Sequence, residues 1–173
     1  MEPDENMRVT VKRAPTEPRT IDDFIKEIFV MCPRCSKMAT VKSKGGFGLA
    51  RLTCKSCALT KSKEVRAYGL RGAADPYFGL PLWLQAPCSP HTLWAYNPDH
   101  LSFLRQFVEA TDRRRPDRSS TDRLNGLLAS RLPKWVQLSK NRDRILRVIA
   151  TIETKLAIPA NKPLQQTAEK RGG

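Results

Sequence analysis

The chain contains no apolar run approaching the ~18–20 residues that a membrane-spanning helix requires. Its first residues, Met-Glu-Pro-Asp-Glu, are acidic and lead into no apolar stretch. A bilayer span and a secretory leader are therefore not expected, and a cytoplasmic location is. Acidic side chains are scarce: 17 Asp+Glu stand against 31 Lys+Arg, a formal net charge of +14. Histidine is scarcer, with only 2 in the chain. Neither histidine has a carboxylate at a spacing used for general acid–base work, and Asp75 and Asp99 lack an acid–base companion. No phosphate-cradling glycine loop and no nucleophile elbow occurs. These absences point away from an enzyme and from a small-molecule substrate. What is present, 40% apolar residues in 173, suffices to bury a core in one domain or two small ones.

The positive charge is unevenly placed. Residues 32–66 carry nine Lys+Arg and one Glu, and residues 111–173 carry fifteen basic against six acidic side chains. Residues 1–31 and 67–110 are close to neutral, and the second of these holds Trp83 and Trp94. Net charge speaks to partners and solubility rather than to fold. A polyanion is the expected partner, with nucleic acid ahead of an anionic lipid surface and no membrane partner expected.

The pattern along the chain predicts an α+β fold. Residues 1–28 read as a lead with a short helix: Thr20 and Asp23 form a capping box before Ile21, Phe24, Ile25 and Ile28. Met7–Lys12 reads as a short strand. From 29 to 70 short runs punctuated by Cys, Gly and Ser suggest hairpins, with strands over Lys37–Ser43, Leu49–Thr53 and Glu64–Leu70. Residues 71–157 read as an α+β and helical region. It has a strand pair, Leu80–Gln85 and Thr92–Tyr96, and about three C-terminal helices, with a linker near 112–120. Asn97 and Pro98 mark one helix start, followed by Leu101, Leu104, Phe107 and Val108 at helical spacing. Two more helical patterns run through Leu124, Leu127, Leu128 and Leu132, and through Ile145, Val148, Ile149, Ile152 and Leu156. Trp135 and Val136, between them, are expected to pack inward. Residues 158–173 read as a disordered tail, and 161–173 resemble a segment that recurs at the ends of unrelated bacterial reading frames.

Cys32-Pro-Arg-Cys35 and Cys54-Lys-Ser-Cys57 form C-x2-C…x18…C-x2-C. A two-residue gap lets one tight turn aim two sulfurs at one metal, and an 18-residue excursion is long enough for a hairpin to return the second pair. Four thiolates close a tetrahedral shell and leave no position for a reactive water, so one structural Zn2+ is the expected cofactor. Disulfides do not suit a reducing compartment. Iron bound by paired cysteines usually has glycine after each pair, where Ser36 and Ala58 stand here. The arrangement over 29–66 resembles the zinc-ribbon superfamily, two zinc knuckles on β-hairpins around one metal. That resemblance implies Cys32, Cys35, Cys54 and Cys57 as ligands. Members of the superfamily touch nucleic acid or protein. The segments DPYFGLPLWLQ, LWAYNPDHLSFLRQFV and LPKWVQLSKNRDRIL resemble blocks of uncharacterised bacterial zinc-ribbon proteins, and this implies no activity.

Lys37, Lys42, Lys44, Arg51, Lys55, Lys61 and Lys63 surround the cysteines, with Phe47 among the glycines of a turn. A basic hairpin with one exposed ring suits phosphate contact and base stacking. The same residues also read as a solvated face, or as cations that stabilise thiolates. Cys88 and His91, with His100, offer three ligands for a second metal but no fourth. A buried thiol and a turn histidine are the commoner outcome for such residues. Arg113, Arg114, Arg115 and Arg118 add charge to the linker, and Arg142, Arg144 and Arg147 to the last helix. A helix-turn-helix around Pro133 would need a shorter link. Two functions fit: nucleic-acid binding through the basic residues, or a zinc-stabilised structural or protein-interaction module.

Overall fold

A computed structural model describes residues 20–44, 47–67, 69, 72–110 and 131–157. The architecture is α+β. It comprises a four-stranded antiparallel sheet, a separate two-stranded sheet and a set of short and long helices.

The capping box at Thr20 is present: its backbone N–H donates to the Asp23 carboxylate at 2.8 Å. The helix it opens, α1, covers only Ile21–Phe24. Ile28 was expected to extend it, but lies in strand β1, Glu27–Met31. The reason is pairing. Ile28 and Val30 alternate with exposed or half-buried neighbours, which buries both against β2. Strand β2 is Met38–Lys42, β3 is Gly48–Thr53 and β4 is Thr60–Val65. They follow one another in order, so each neighbour in sequence is a neighbour in the sheet. The strand expected at Glu64–Leu70 is the end of β4, which stops at Val65.

Register assigns every side chain to one of two faces, because the side-chain period is two. The inner face carries Ile28, Val30, Ala39, Val41, Ala50 and Leu52, all buried. Phe24, Ile25, Tyr77 and Tyr96 cover it. Tyr77 comes from a turn organised by Asp75. This fully buried carboxylate accepts the backbone N–H groups of Tyr77, Phe78 and Leu80 at 3.0, 2.8 and 2.6 Å. A buried carboxylate is tolerable only with such compensation.

The second sheet pairs β5, Leu84–Cys88, with β6, His91–Ala95. The strand expected to begin at Leu80 starts four residues later. Pro81, Leu82 and Trp83 instead lie along the free edge of β1: Met31 donates to the Pro81 carbonyl, and Trp83 to that of Phe29. Helix α2, Pro98–Glu109, begins as anticipated, with Asn97 Oδ1 accepting the His100 N–H at 2.8 Å. The Asn97 amide also donates to the carbonyls of Phe24 and Glu27, which ties the start of α2 to the first sheet. Leu101, Leu104, Phe107 and Val108 are buried on one face of α2, as their spacing requires.

After Leu132 come a short helix α3, Lys134–Gln137, one 3-10 turn and the long helix α4, Arg142–Ala157. Ile145, Ile149 and Ile152 of α4 pack with α2 and β5 in a second apolar cluster. Val136 is buried there and Trp135 is half-buried. Arg105 of α2 reaches Glu153 of α4, and Arg142 donates to the carbonyl of Ala110, just past the end of α2. No described helix is long and apolar enough to cross a membrane. The Met7–Lys12 strand, the Leu124–Leu128 helix, the linker arginines Arg113, Arg114, Arg115 and Arg118, and the tail lie outside the described residues.

Candidate metal centre

Cys32 follows the end of β1, and Cys54 follows the end of β3. The hairpins β1–β2 and β3–β4 turn at the same end of the sheet, and the Thr40–Thr53 pairing of β2 with β3 sets them side by side. The two cysteine turns are built alike. The Cys32 N–H donates to the Lys37 carbonyl and the Cys54 N–H to that of Leu59, both at 2.8 Å. The fifth residue of each turn is left-handed, with φ of 56° at Ser36 and 54° at Ala58.

The backbone thus needs a glycine-like conformation where glycine is absent. The missing glycines therefore do not argue against a paired-thiolate site of either metal, and the sequence-based case against iron loses its footing.

All four sulfurs lie within 4.8 Å of one another. Cys32 Sγ is 3.7 Å from Cys57 Sγ, and Cys35 Sγ is 3.6 Å from Cys54 Sγ. A tetrahedron with metal–sulfur bonds of ~2.3 Å has an edge of ~3.8 Å. The two close pairs each join one turn to the other, so all four thiols point at a common centre. Four cysteines in this arrangement can coordinate one metal ion. Cys32 and Cys54 are buried, while Cys35 and Cys57 are partly open to solvent.

Burial alone would raise the Cys32 thiol. Hydrogen bonds from the Arg34 and Cys35 backbone and from the neighbouring thiols outweigh it and bring it down to about 7. Cys57 moves the other way: burial and the three thiols around it exceed the help of the Leu59 N–H and push it up to about 12. Cys35 is also raised. The Lys37 N–H favours its thiolate, but burial and the Cys54 and Cys32 thiols prevail. A thiolate thus forms readily at Cys32, while the raised Cys35 and Cys57 thiols give up their protons to a cation at the centre.

The basic candidates fall into four groups rather than one patch. Lys42 and Arg51 are register partners on the outer face, with Thr40, Leu49 and Thr53 beside them. Lys42 also pairs with Glu27 at 3.3 Å, an exposed contact of little strength. Lys61 and Lys63 pair with Leu52 and Ala50, which places them on the inner face. Lys63 there donates to the Tyr77 carbonyl at 3.0 Å. Lys37 and Lys55 belong to the two cysteine turns, while Lys44 and Phe47 sit at the opposite end of the sheet. Phe47 is 68% exposed and Leu49 62%.

Cys88, His91 and His100 do not come together as a three-ligand group. Cys88 is buried and sits across the β5–β6 ladder from His91, whose ring stacks on Trp135 at 4.7 Å. His100 is buried between Phe24 and Tyr96. Among the described residues, only the four cysteines bring three or more ligand side chains together. What sequence reasoning missed is the Asp75 turn. Its one signal was the Asp-Pro-Tyr-Phe-Gly run. No protein-family model, curated protein or solved structure matches this chain.

Proposed function

We propose that this chain is a non-catalytic zinc-ribbon protein. One structural Zn2+ would be held by Cys32, Cys35, Cys54 and Cys57, and the outer face of the sheet would contact nucleic acid. The observation that carries the metal half is the convergence of four sulfurs at near-tetrahedral separations. A full thiolate shell leaves no open position, so the metal's contribution is to hold the two hairpins together. Zinc suits four sulfurs without a redox role, and iron is the competitor.

The nucleic-acid half rests on charge and placement. Lys42 and Arg51 lie next to each other on an exposed face, and Lys44 and Phe47 border it. Cations of this kind supply phosphate contacts whose strength falls with salt, and an exposed ring supplies stacking. Elemental analysis tests the metal: one zinc per chain is expected. One iron, with the visible absorption of ferric thiolate, would replace zinc in the proposal, and no metal with four reduced thiols would end it.

Titration with single-stranded DNA, RNA and duplex at several salt concentrations tests the partner. Binding should weaken steeply with salt, and Arg51→Glu should lower it much more than Lys61→Glu on the other face. A second reading, a protein partner, is favoured by the exposure of Phe47 and Leu49 beside that face. Zinc-loaded protein that binds none of the three nucleic acids at low salt would decide for it.

A further inference from the structure

The turn between β5 and β6, the short helix α3 and the start of α4 meet at one corner, and a closed circuit of contacts holds them together. The His91 ring stacks on Trp135, with 4.7 Å between the centroids and 13° between the planes. The Trp135 carbonyl accepts the Asn141 side-chain amide at 2.7 Å. Asn141 Oδ1 in turn accepts an Arg144 Nη2–H at 2.9 Å. Arg144 Nη1–H then donates to the Ser89 carbonyl at 2.8 Å, two residues before His91, which closes the circuit.

Half-buried Arg144 is thus held by two neutral acceptors. A carbonyl and an amide oxygen orient the guanidinium without cancelling its charge. Two of its five N–H donors are used, which leaves three for an anion. A long surface cation ordinarily loses rotamer freedom when it binds, and here the fold has taken that freedom in advance. The surroundings are of one sign. Residues 131–147 carry six Lys+Arg and a single acidic side chain, Asp143. Lys134, Lys140 and Arg147 are exposed, and Arg147 Nε–H donates to the backbone carbonyl of Asp143, at 3.4 Å, rather than to its carboxylate. The ion pairs printed by the geometry of the described residues lie elsewhere, at Lys42, Arg66 and Arg105. Like charges gathered in this way repel one another, and an anion offsets that cost.

We propose that this corner binds the phosphates of a nucleic-acid strand, with Arg144 as the oriented donor and Lys134, Lys140 and Arg147 as the charges around it. The anion follows from the charge and the fixed guanidinium, while a strand as its source rests on the nucleic-acid reading above. His91 favours that source over a lipid headgroup or an acidic peptide. It is an exposed flat ring in the same turn, and a strand brings bases that stack on such rings. The corner contains none of the cysteine-bearing strands, so it is a second contact and not an extension of the sheet face.

The test measures binding of oligo(U) and of single-stranded DNA to the zinc-loaded full chain at several salt concentrations. Polyglutamate and phosphatidylserine vesicles serve as rival anions. Lys134→Gln combined with Arg147→Gln removes two exposed cations that take no part in the circuit. The slope of log affinity against log salt should fall by about 1.4, at ~0.7 for each single-strand phosphate contact, and affinity in ~0.1 M salt should drop ~25-fold. Arg144→Lys keeps the charge but loses the planar fork, so it should lower affinity with the slope unchanged. A slope untouched by the double variant would overturn the proposal. So would tighter binding of polyglutamate or of the vesicles than of both strands. If Arg51→Glu weakens strand binding and the double variant does not, the corner fails and the sheet reading stands. If the double variant weakens it and Arg51→Glu does not, the sheet reading fails and the corner stands. Absence of strand binding at low salt ends both.

Discussion

Loading the four-cysteine centre with zinc should release a countable number of protons. Four thiolates are needed to complete the shell, and metal affinity is therefore coupled to pH. Cys32, at about 7, has given up roughly half its proton at neutral pH, whereas Cys57, pushed to about 12, keeps its own. Cys35 is raised and also remains a thiol. These three supply about 2.5 protons at pH 7, and Cys54 can add at most one more, so ~2.5–3.5 protons should leave per metal bound. The sign follows: affinity falls as pH falls, because protons compete for the same sulfurs. Between pH 8 and 7 the apparent association constant should drop by a factor of ~10²–10³. The assay is calorimetric titration of reduced apoprotein with zinc in buffers of different ionisation enthalpy, which separates proton release from binding heat. Release of one proton or fewer would refute the reasoning. It would mean that only one or two sulfurs bind and that the convergence of all four is not a metal site.

Other consequences are accessible to stability measurements. Asp75→Ala strands one buried and two part-buried N–H groups and should cost ~3–5 kcal/mol in urea unfolding of the zinc-loaded protein. Asp75→Asn keeps Oδ1 for Tyr77 and Phe78 but sets an amide against the Leu80 N–H, so it should cost ~1–3 kcal/mol; equal losses would refute the carboxylate's role. Ser36→Gly and Ala58→Gly should each stabilise by ~0.5–1 kcal/mol, because the left-handed strain relieved exceeds the added chain entropy. A loss at either position would show that the strain estimate is wrong there. His100, held down to about 3 by burial, stays neutral in the folded protein while the unfolded chain takes up a proton below pH ~6.5. Its contribution is therefore complete above that pH and is lost towards pH 3, by ~2 kcal/mol between pH 6.5 and 5. His100→Phe should flatten that part of the pH profile, and parallel profiles for the two proteins would contradict it.

Much of the local chemistry was legible because it is local. Cysteine spacing encodes ligand geometry within a single turn, and Asn97-Pro98 encodes a helix start within four residues. The stripe Leu101, Leu104, Phe107, Val108 likewise names its own face. Ile28 was misread for an instructive reason. Phe24, Ile25 and Ile28 satisfy helical spacing, yet Ile28 and Val30 satisfy strand alternation equally well. The residues that decide between the two are Val41 and Ala39, which pair with them from β2. Asp75 was hard to read in the same sense: beyond the Asp-Pro-Tyr-Phe-Gly run that marks a turn, its partners are backbone groups, which every residue but proline offers.

The basic block shows the deeper limit. Strand β4, Thr-Lys-Ser-Lys-Glu-Val, has a single apolar residue, so its sequence contains no alternation from which a face can be read. Only its ladder with β3 places Lys61 and Lys63 on the side of Leu52 and Ala50, away from Arg51. Nine cations in 35 residues therefore do not add to one field. Counted as a block they suggest a single broad phosphate-binding surface. Sorted by register, the outer face of the sheet keeps Lys42 and Arg51, one of them already beside Glu27. At a Debye length of ~8 Å in physiological salt, charges on the far face or the far end of the sheet contribute little to that surface. Two phosphate contacts are a weak grip by themselves. A strand held by them would need a further anchor, and the exposed Phe47 ring that borders this face, rather than more lysines, is the group placed to stack on a base.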